Sequence, residues 1–173
     1  MEDPSKPKNS LKERKIDDLK NPFSFEKAED STGFLLWQVT NLWQREIRKA
    51  LEQYALTHSQ FVLMASIHWL TLEKQDVNQV LLSSHTKIDP MTTSTILRGL
   101  QTRSLLQRKI HLSDTRSKSI CLTEKGQTII EQAVKTVEEF DKVFFNTLGN
   151  SSQQFNKQLL RLLNQTIELN VTQ

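Results

Sequence analysis

At 173 residues and 20.1 kDa, the chain is long enough to bury an apolar core of its own without disulfides or a structural metal. A single cysteine, Cys121, excludes an internal disulfide framework and a cysteine-cluster zinc site, and four glycines with four prolines exclude repeated glycine-rich nucleotide loops, collagen and most turn-dense β-sandwiches. The formal net charge is only +3, yet residues 90–120 carry Arg98, Arg103, Arg108, Lys109, Arg116 and Lys118 against Asp114 alone, a local net of +5, so a surface for an anionic partner is sought there first.

Residues 1–30 are polar and mixed in charge, and they contain Pro4, Pro7 and Pro22. They predict a flexible N-terminal arm with Phe23 and Phe25 as its docking points. The opening MEDPSKPKNS lacks the apolar core of a secretory signal. The longest apolar stretch, 61–67, is far too short for a membrane span, and the expected setting is the cytoplasm.

A helix over 34–54 follows from apolar residues at Phe34, Leu35, Val39, Leu42, Trp43, Ile47, Leu51 and Tyr54, close to the helical period. Leu36 and Trp37 widen that stripe until it needs cover on two sides, as in an intertwined dimer. Thr57 and Gln60 have the spacing of a capping box and open a second helix that runs to about 72. Polar residues 73–76 make a turn, and Val77, Val80, Leu81 and Leu82 predict a short third helix ending near 84. Asp89-Pro90 is a sharp helix start, an N-cap carboxylate followed by proline at the first helical position. That fourth helix reaches about 103, with Thr93, Ile96, Leu97 and Leu100 on its inner face. Alternating apolar residues then predict strands over 107–113 and 118–122, joined by a polar tip. Helices over 124–148 and from 151 or 152 close the chain, the last carrying Phe155, Leu159, Leu162, Leu163, Ile167 and Leu169.

Helix, turn, helix and a two-stranded hairpin, in that order, form a winged helix. Such a unit places one helix in the major groove and the hairpin along the backbone, with an arginine in the adjacent minor groove. The outer face of 90–103 offers Thr92, Ser94, Thr95, Arg98 and Thr102. Hydroxyls suit phosphates and thymine methyls, and Arg98 suits guanine. The competing reading, hydroxyls that merely cap the helix or face water, is outweighed by the basic hairpin. Asp114 and Arg116 stand two apart at the tip, where the carboxylate can brace the guanidinium.

Three segments carry a family likeness: Ser104-Leu105-Leu106-Gln107-Arg108, Asp114-Thr115-Arg116, and Leu122-Thr123-Glu124-Lys125-Gly126. With Leu56-Thr57-x-x-Gln60-Phe61, their spacing resembles the MarR family of regulators over roughly residues 33–170. The resemblance implies a mainly α fold with a small β-wing, divided into a winged helix-turn-helix DNA-binding domain (57–124) and a helical dimerisation domain (31–56 with 125–173). It implies a homodimer on a pseudo-palindromic operator in double-stranded DNA, with Thr92, Ser94, Thr95, Arg98, Thr102, Arg108, Lys109, Asp114, Arg116 and Lys118 at the interface. It also implies a crevice for a small aromatic effector, which Trp37 and Trp69 could wall, the alternative for both being plain core or interface packing. Ser104 stands where the family has glycine, so a strained turn is expected, and Gly99 inside the fourth helix costs about 1 kcal/mol relative to alanine.

Other chemistries find no support. His58, His68, His85 and His111 have no metal-ligand spacing. Cys121, in the second wing strand, is read as structural and not as a redox sensor. No nucleophile elbow, carboxylate pair or phosphate loop points to an enzyme, and no cofactor is implied. The alternative to a DNA-binding repressor is a winged-helix protein-interaction or scaffold module.

Overall fold

The structure, a computed structural model, describes residues 21–110 and 118–165, and the side chains of these except at positions 109, 110 and 118. The chain forms two compact units, one up to Val39 and one from Thr40 onward. Among the described residues, six α-helices and one antiparallel hairpin follow in the order α1 (Thr32–Leu51), α2 (His58–Leu72), α3 (Gln79–Thr86), α4 (Pro90–Thr102), β1 (Leu106–Ile110), β2 (Lys118–Leu122), α5 (Glu124–Phe145) and α6 (Ser152–Leu163). This is the mainly α architecture with a two-stranded wing that the sequence predicts. Most of the expected N-terminal arm, residues 111–117 of the expected hairpin, and Ile167 and Leu169, expected in the last helix, lie outside the described residues, and α6 ends at Leu163.

In the first unit a 3-10 turn at Ala28–Asp30 leads into α1, whose first turn is capped where the Phe34 amide donates to Ser31 Oγ at 3.3 Å. The Phe34 and Trp37 rings stack at 6.1 Å.

The second unit is built around α2. Its entry is the predicted capping box: Gln60 N–H donates to Thr57 Oγ1 at 3.2 Å and Thr57 N–H to Gln60 Oε1 at 3.1 Å. Phe61, Leu63, Met64, Ile67 and Leu70 of α2 are buried with Ile47 and Leu51 of α1, Leu82 of α3, Leu97 and Leu100 of α4, and Ile130, Ala133 and Val137 of α5. Each of the larger aliphatic side chains contributes roughly 2 kcal/mol by leaving water.

The third helix begins later than its apolar pattern predicts. Asn78 caps α3, accepting from Leu81 N–H at 2.9 Å, and Val77 lies ahead of the helix with its carbonyl accepting from Ile120 N–H at 2.7 Å. A tertiary strand contact has therefore claimed the residue that periodicity assigned to helix. The helix over 124–148 ends as α5 at Phe145, followed by a 3-10 turn over Asn146–Ser151 in which Gly149 has φ +49°. No helix among the described residues is long and apolar enough to cross a membrane.

Candidate nucleic-acid interface

α4 is fixed at its start by the residues predicted to start it. Asp89 accepts from Thr92 N–H at 2.9 Å, and hydrogen bonds from the Thr92 side chain and amide hold the Asp89 carboxyl below its ordinary range. Pro90 occupies the first turn, and Gln79 Nε2 of α3 donates to its carbonyl at 3.4 Å. The inner face is Thr93, Leu97 and Leu100, all fully buried, and Thr93 Oγ1 donates to Ile88 O at 3.3 Å, which satisfies the buried hydroxyl.

On the outer side Thr92, Thr95, Arg98 and Thr102 are exposed and Ser94 is half-buried. Thr95 Oγ1 donates to Met91 O at 3.1 Å, Thr102 Oγ1 donates to Arg98 O at 3.1 Å, and Arg98 Nη2 donates to Thr95 Oγ1 at 3.3 Å. The threonine protons are thus committed to the helix backbone. What Thr95 and Thr102 can offer a partner is an acceptor oxygen and a methyl group. Thr92 spends its hydroxyl on the Asp89 cap and lies to the side of this row.

The segment from α4 to α5 explains the Leu-Thr-x-x-Gly spacing. Ser104 sits in the left-handed region at φ +56°, the strained turn expected where a glycine is absent. Thr123 is the N-cap of α5, accepting from Gly126 N–H at 3.1 Å and donating to Ser104 O at 2.8 Å, while its own amide donates to Leu105 O at 3.1 Å. Gly126 lies flush on the Leu105 backbone. A Cβ there would overlap the Leu105 carbonyl oxygen and stand 2.9 Å from its carbon.

The wing pairs Leu106 with Leu122, Arg108 with Ile120 and Lys109 with Ser119. Residues opposite one another share a face, so Arg108 stands on the side of buried Leu106 and Ile120. Its side chain is half-buried, and Nε and Nη2 are shielded from solvent without a hydrogen-bond partner among the described residues. Strand parity, not charge, sets the direction of this side chain. Lys109 and Lys118 are placed on the paired strands, the side chains of both and the whole of Asp114 and Arg116 lying outside the described residues. Arg103, counted in the basic stretch, turns back into the fold, its Nη1 donating to Gln60 Oε1 at 3.1 Å.

A crevice of about 340 Å³ opens between α2, α3 and α5, lined by Phe61, Ala65, His68, Trp69, His85, Val134, Val137, Glu138 and Asp141. Trp69 is among its lining residues. Trp37 belongs to the first unit, where it is exposed. The sequence reading missed Glu138 and Asp141, although their spacing of three beside Val134 and Val137 marks them as one face of α5. At the crevice edge Trp43 Nε1 donates to Asp141 Oδ1 at 2.7 Å, and the Trp43 ring meets His58 edge-on at 5.0 Å. Burial pushes the Asp141 carboxyl upward against the lowering effect of the Trp43 bond.

Burial also lowers the His58 pKa below its ordinary 6.5, helped by the Arg48 charge and opposed by Asp141. The folded state therefore resists protonation, the unfolded state takes up the proton first, and this contribution is present above pH 6.5 and lost as pH falls. Melting temperatures taken from about pH 7.5 down to 5.5 are expected to fall, and His58→Gln to flatten that part of the profile. An equally steep fall in the variant would show that other groups carry it.

The chain is similar to known proteins. The family described as “ArnR1-like, winged-helix domain” matches residues 52–139. The HTH-type transcriptional regulator YdcH of Bacillus subtilis is 36% identical over 121 residues, which cover 70% of this chain and 82% of YdcH. CouR from Rhodococcus jostii RHA1, solved bound to p-coumaroyl-CoA, has the same fold, with a TM-score of 0.72 and 23% identity over 83% of this chain and 99% of CouR. A mutant of Escherichia coli MarR complexed with operator DNA gives a TM-score of 0.66 and 21% identity over 77% of this chain and 93% of that one.

Proposed function

The chain belongs to the ArnR1-like winged-helix family and is a transcriptional regulator of the MarR type, and we propose that it is a cytoplasmic, homodimeric repressor that a small aromatic ligand releases from a pseudo-palindromic operator. The observation that carries DNA reading is the exposed row of Thr95, Arg98 and Thr102 on a helix whose opposite face is fully buried. In this reading Thr92 and Ser94 flank that row at the phosphates. Lys109, Lys118 and Arg116 follow the backbone and minor groove, Asp114 braces Arg116, and Arg108 steadies the wing from its half-buried seat.

Dimerisation falls to the helices outside 57–124, whose exposed apolar residues need cover. The effector takes the crevice beside Trp69, where an aromatic face, two imidazoles and two carboxylates suit a planar ring with a polar substituent. CouR, solved with an aromatic acyl-CoA, lends support to that class of ligand. The chain has no catalytic role in this reading.

Selection of bound fragments from genomic DNA with the purified protein tests the proposal and yields the operator. Titration of the selected duplex against salt is expected to give a slope of log K on log salt of about −4 or steeper, since each phosphate neutralised contributes about −0.9. A salt-independent affinity, or no enrichment of any fragment, would leave the scaffold reading in its place.

A further inference from the structure

The exposed row on α4 begins with an apolar residue. Met91 is 82% exposed and Val80, at the start of α3, is 80% exposed, the two most exposed large hydrophobic side chains among the described residues. Met91, Thr95, Arg98 and Thr102 are spaced by four, three and four residues, which keeps them on one face of a helix. They are also linked, since Thr95 Oγ1 donates to Met91 O at 3.1 Å and accepts from Arg98 Nη2 at 3.3 Å.

The backbone beneath Met91 is held from two directions. Asp89 caps the helix two residues back, and Gln79 of α3 reaches the carbonyl of Pro90. Met91 thus stands at the rigid N-terminal end of the DNA-reading helix, and residues at that end are the ones that reach base edges in the major groove. The apolar group that base pairs display there is the C5-methyl of thymine.

We infer that Met91 is a specificity-determining residue that packs its side chain against the 5-methyl group of one thymine in each half-site. The inference rests on the DNA-reading role of α4 and assigns to Met91 a thymine contact at the head of the row, beside those that Thr95, Arg98 and Thr102 can make further along it. A flexible, polarisable side chain suits this contact, because it can follow a methyl group whose position varies with local groove shape.

Replacing thymine by deoxyuridine removes that methyl and leaves the Watson–Crick edge intact. With the full-length protein and its selected duplex, one thymine per half-site is expected to show a loss of about fourfold on this exchange, and about fifteenfold when both half-sites are exchanged, the effect of one buried methyl each. Met91→Ala should weaken binding to the thymine duplex by a similar factor and lose nothing further with deoxyuridine. Arg98→Ala should weaken binding while keeping the deoxyuridine effect, and the melting temperature of Met91→Ala should match wild type because the side chain is exposed.

Wild-type protein that ignores deoxyuridine at every position overturns the inference, as does a Met91→Ala protein that keeps the full deoxyuridine penalty or binds as tightly as wild type. A wild-type protein that prefers no duplex at all overturns the DNA-reading role as well, and so is told apart from these.

Discussion

Gly126→Ala is expected to lower stability by about 3 kcal/mol, the upper end of the usual range for overpacking. The added Cβ would overlap the Leu105 carbonyl oxygen, and neither partner can yield easily. The Leu105 carbonyl already accepts from Thr123 N–H, and its neighbour Ser104 is held by the Thr123 hydroxyl in a left-handed conformation. The contact is between two backbones, with no flexible side-chain end to swing aside. Urea unfolding should show a lower midpoint at unchanged slope. Gly99→Ala serves as the control, because a Cβ there meets nothing within 4 Å. If Gly126→Ala matches wild type, the seam between wing and α5 is looser than described.

Leu36→Glu is expected to convert a dimer to monomer and to weaken binding to the selected operator about a hundredfold or more. Phe34, Leu35, Leu36, Trp37, Val39 and Leu42 are between 41% and 63% exposed, a density of apolar surface on one helix that demands a cover. Val143, Leu160, Leu162 and Leu163 add 52–74% exposed residues on α5 and α6. In a two-fold interface each substitution counts twice, so two carboxylates would be placed in apolar surroundings. Losing the link between two half-site readers removes an effective concentration worth a factor of 10²–10⁴. Sedimentation at micromolar concentration and operator titration check the two parts. A Leu36→Glu protein that sediments as wild type would move the interface away from α1.

Legibility of the fold followed the range of the interactions involved. The capping box at Thr57 and the Asp89-Pro90 start are satisfied within three residues, and both are where the sequence puts them. The inner face of α4 was legible for the same reason, since helical spacing alone separates Thr93, Leu97 and Leu100 from Thr95 and Arg98. Contacts between distant segments were not. Val77 looks like the first residue of a helix until β2 arrives to bond its carbonyl. Arg103 counts as one more charge of the basic stretch until its bond to Gln60 is seen, and the half-buried setting of Arg108 follows from a strand pairing that charge alone does not reveal. The crevice needs α2, α3 and α5 together, so Trp69 was visible as an aromatic residue but its carboxylate and imidazole neighbours were not. Met91 was passed over because charge and hydroxyl content drew attention to the polar part of its row.

The bond from Ile120 to the Val77 carbonyl, together with the Thr123 seam on Ser104 and Leu105, removes the joints at which a wing would otherwise hinge. The base of the hairpin is thereby tied to the residue before α3 on one side and to the head of α5 on the other. If the proposed effector in the crevice acts on α5, this seam carries the displacement to the wing base without breaking the reading row, and in the proposed dimer the spacing between half-sites, more than the preference within each, is what would change.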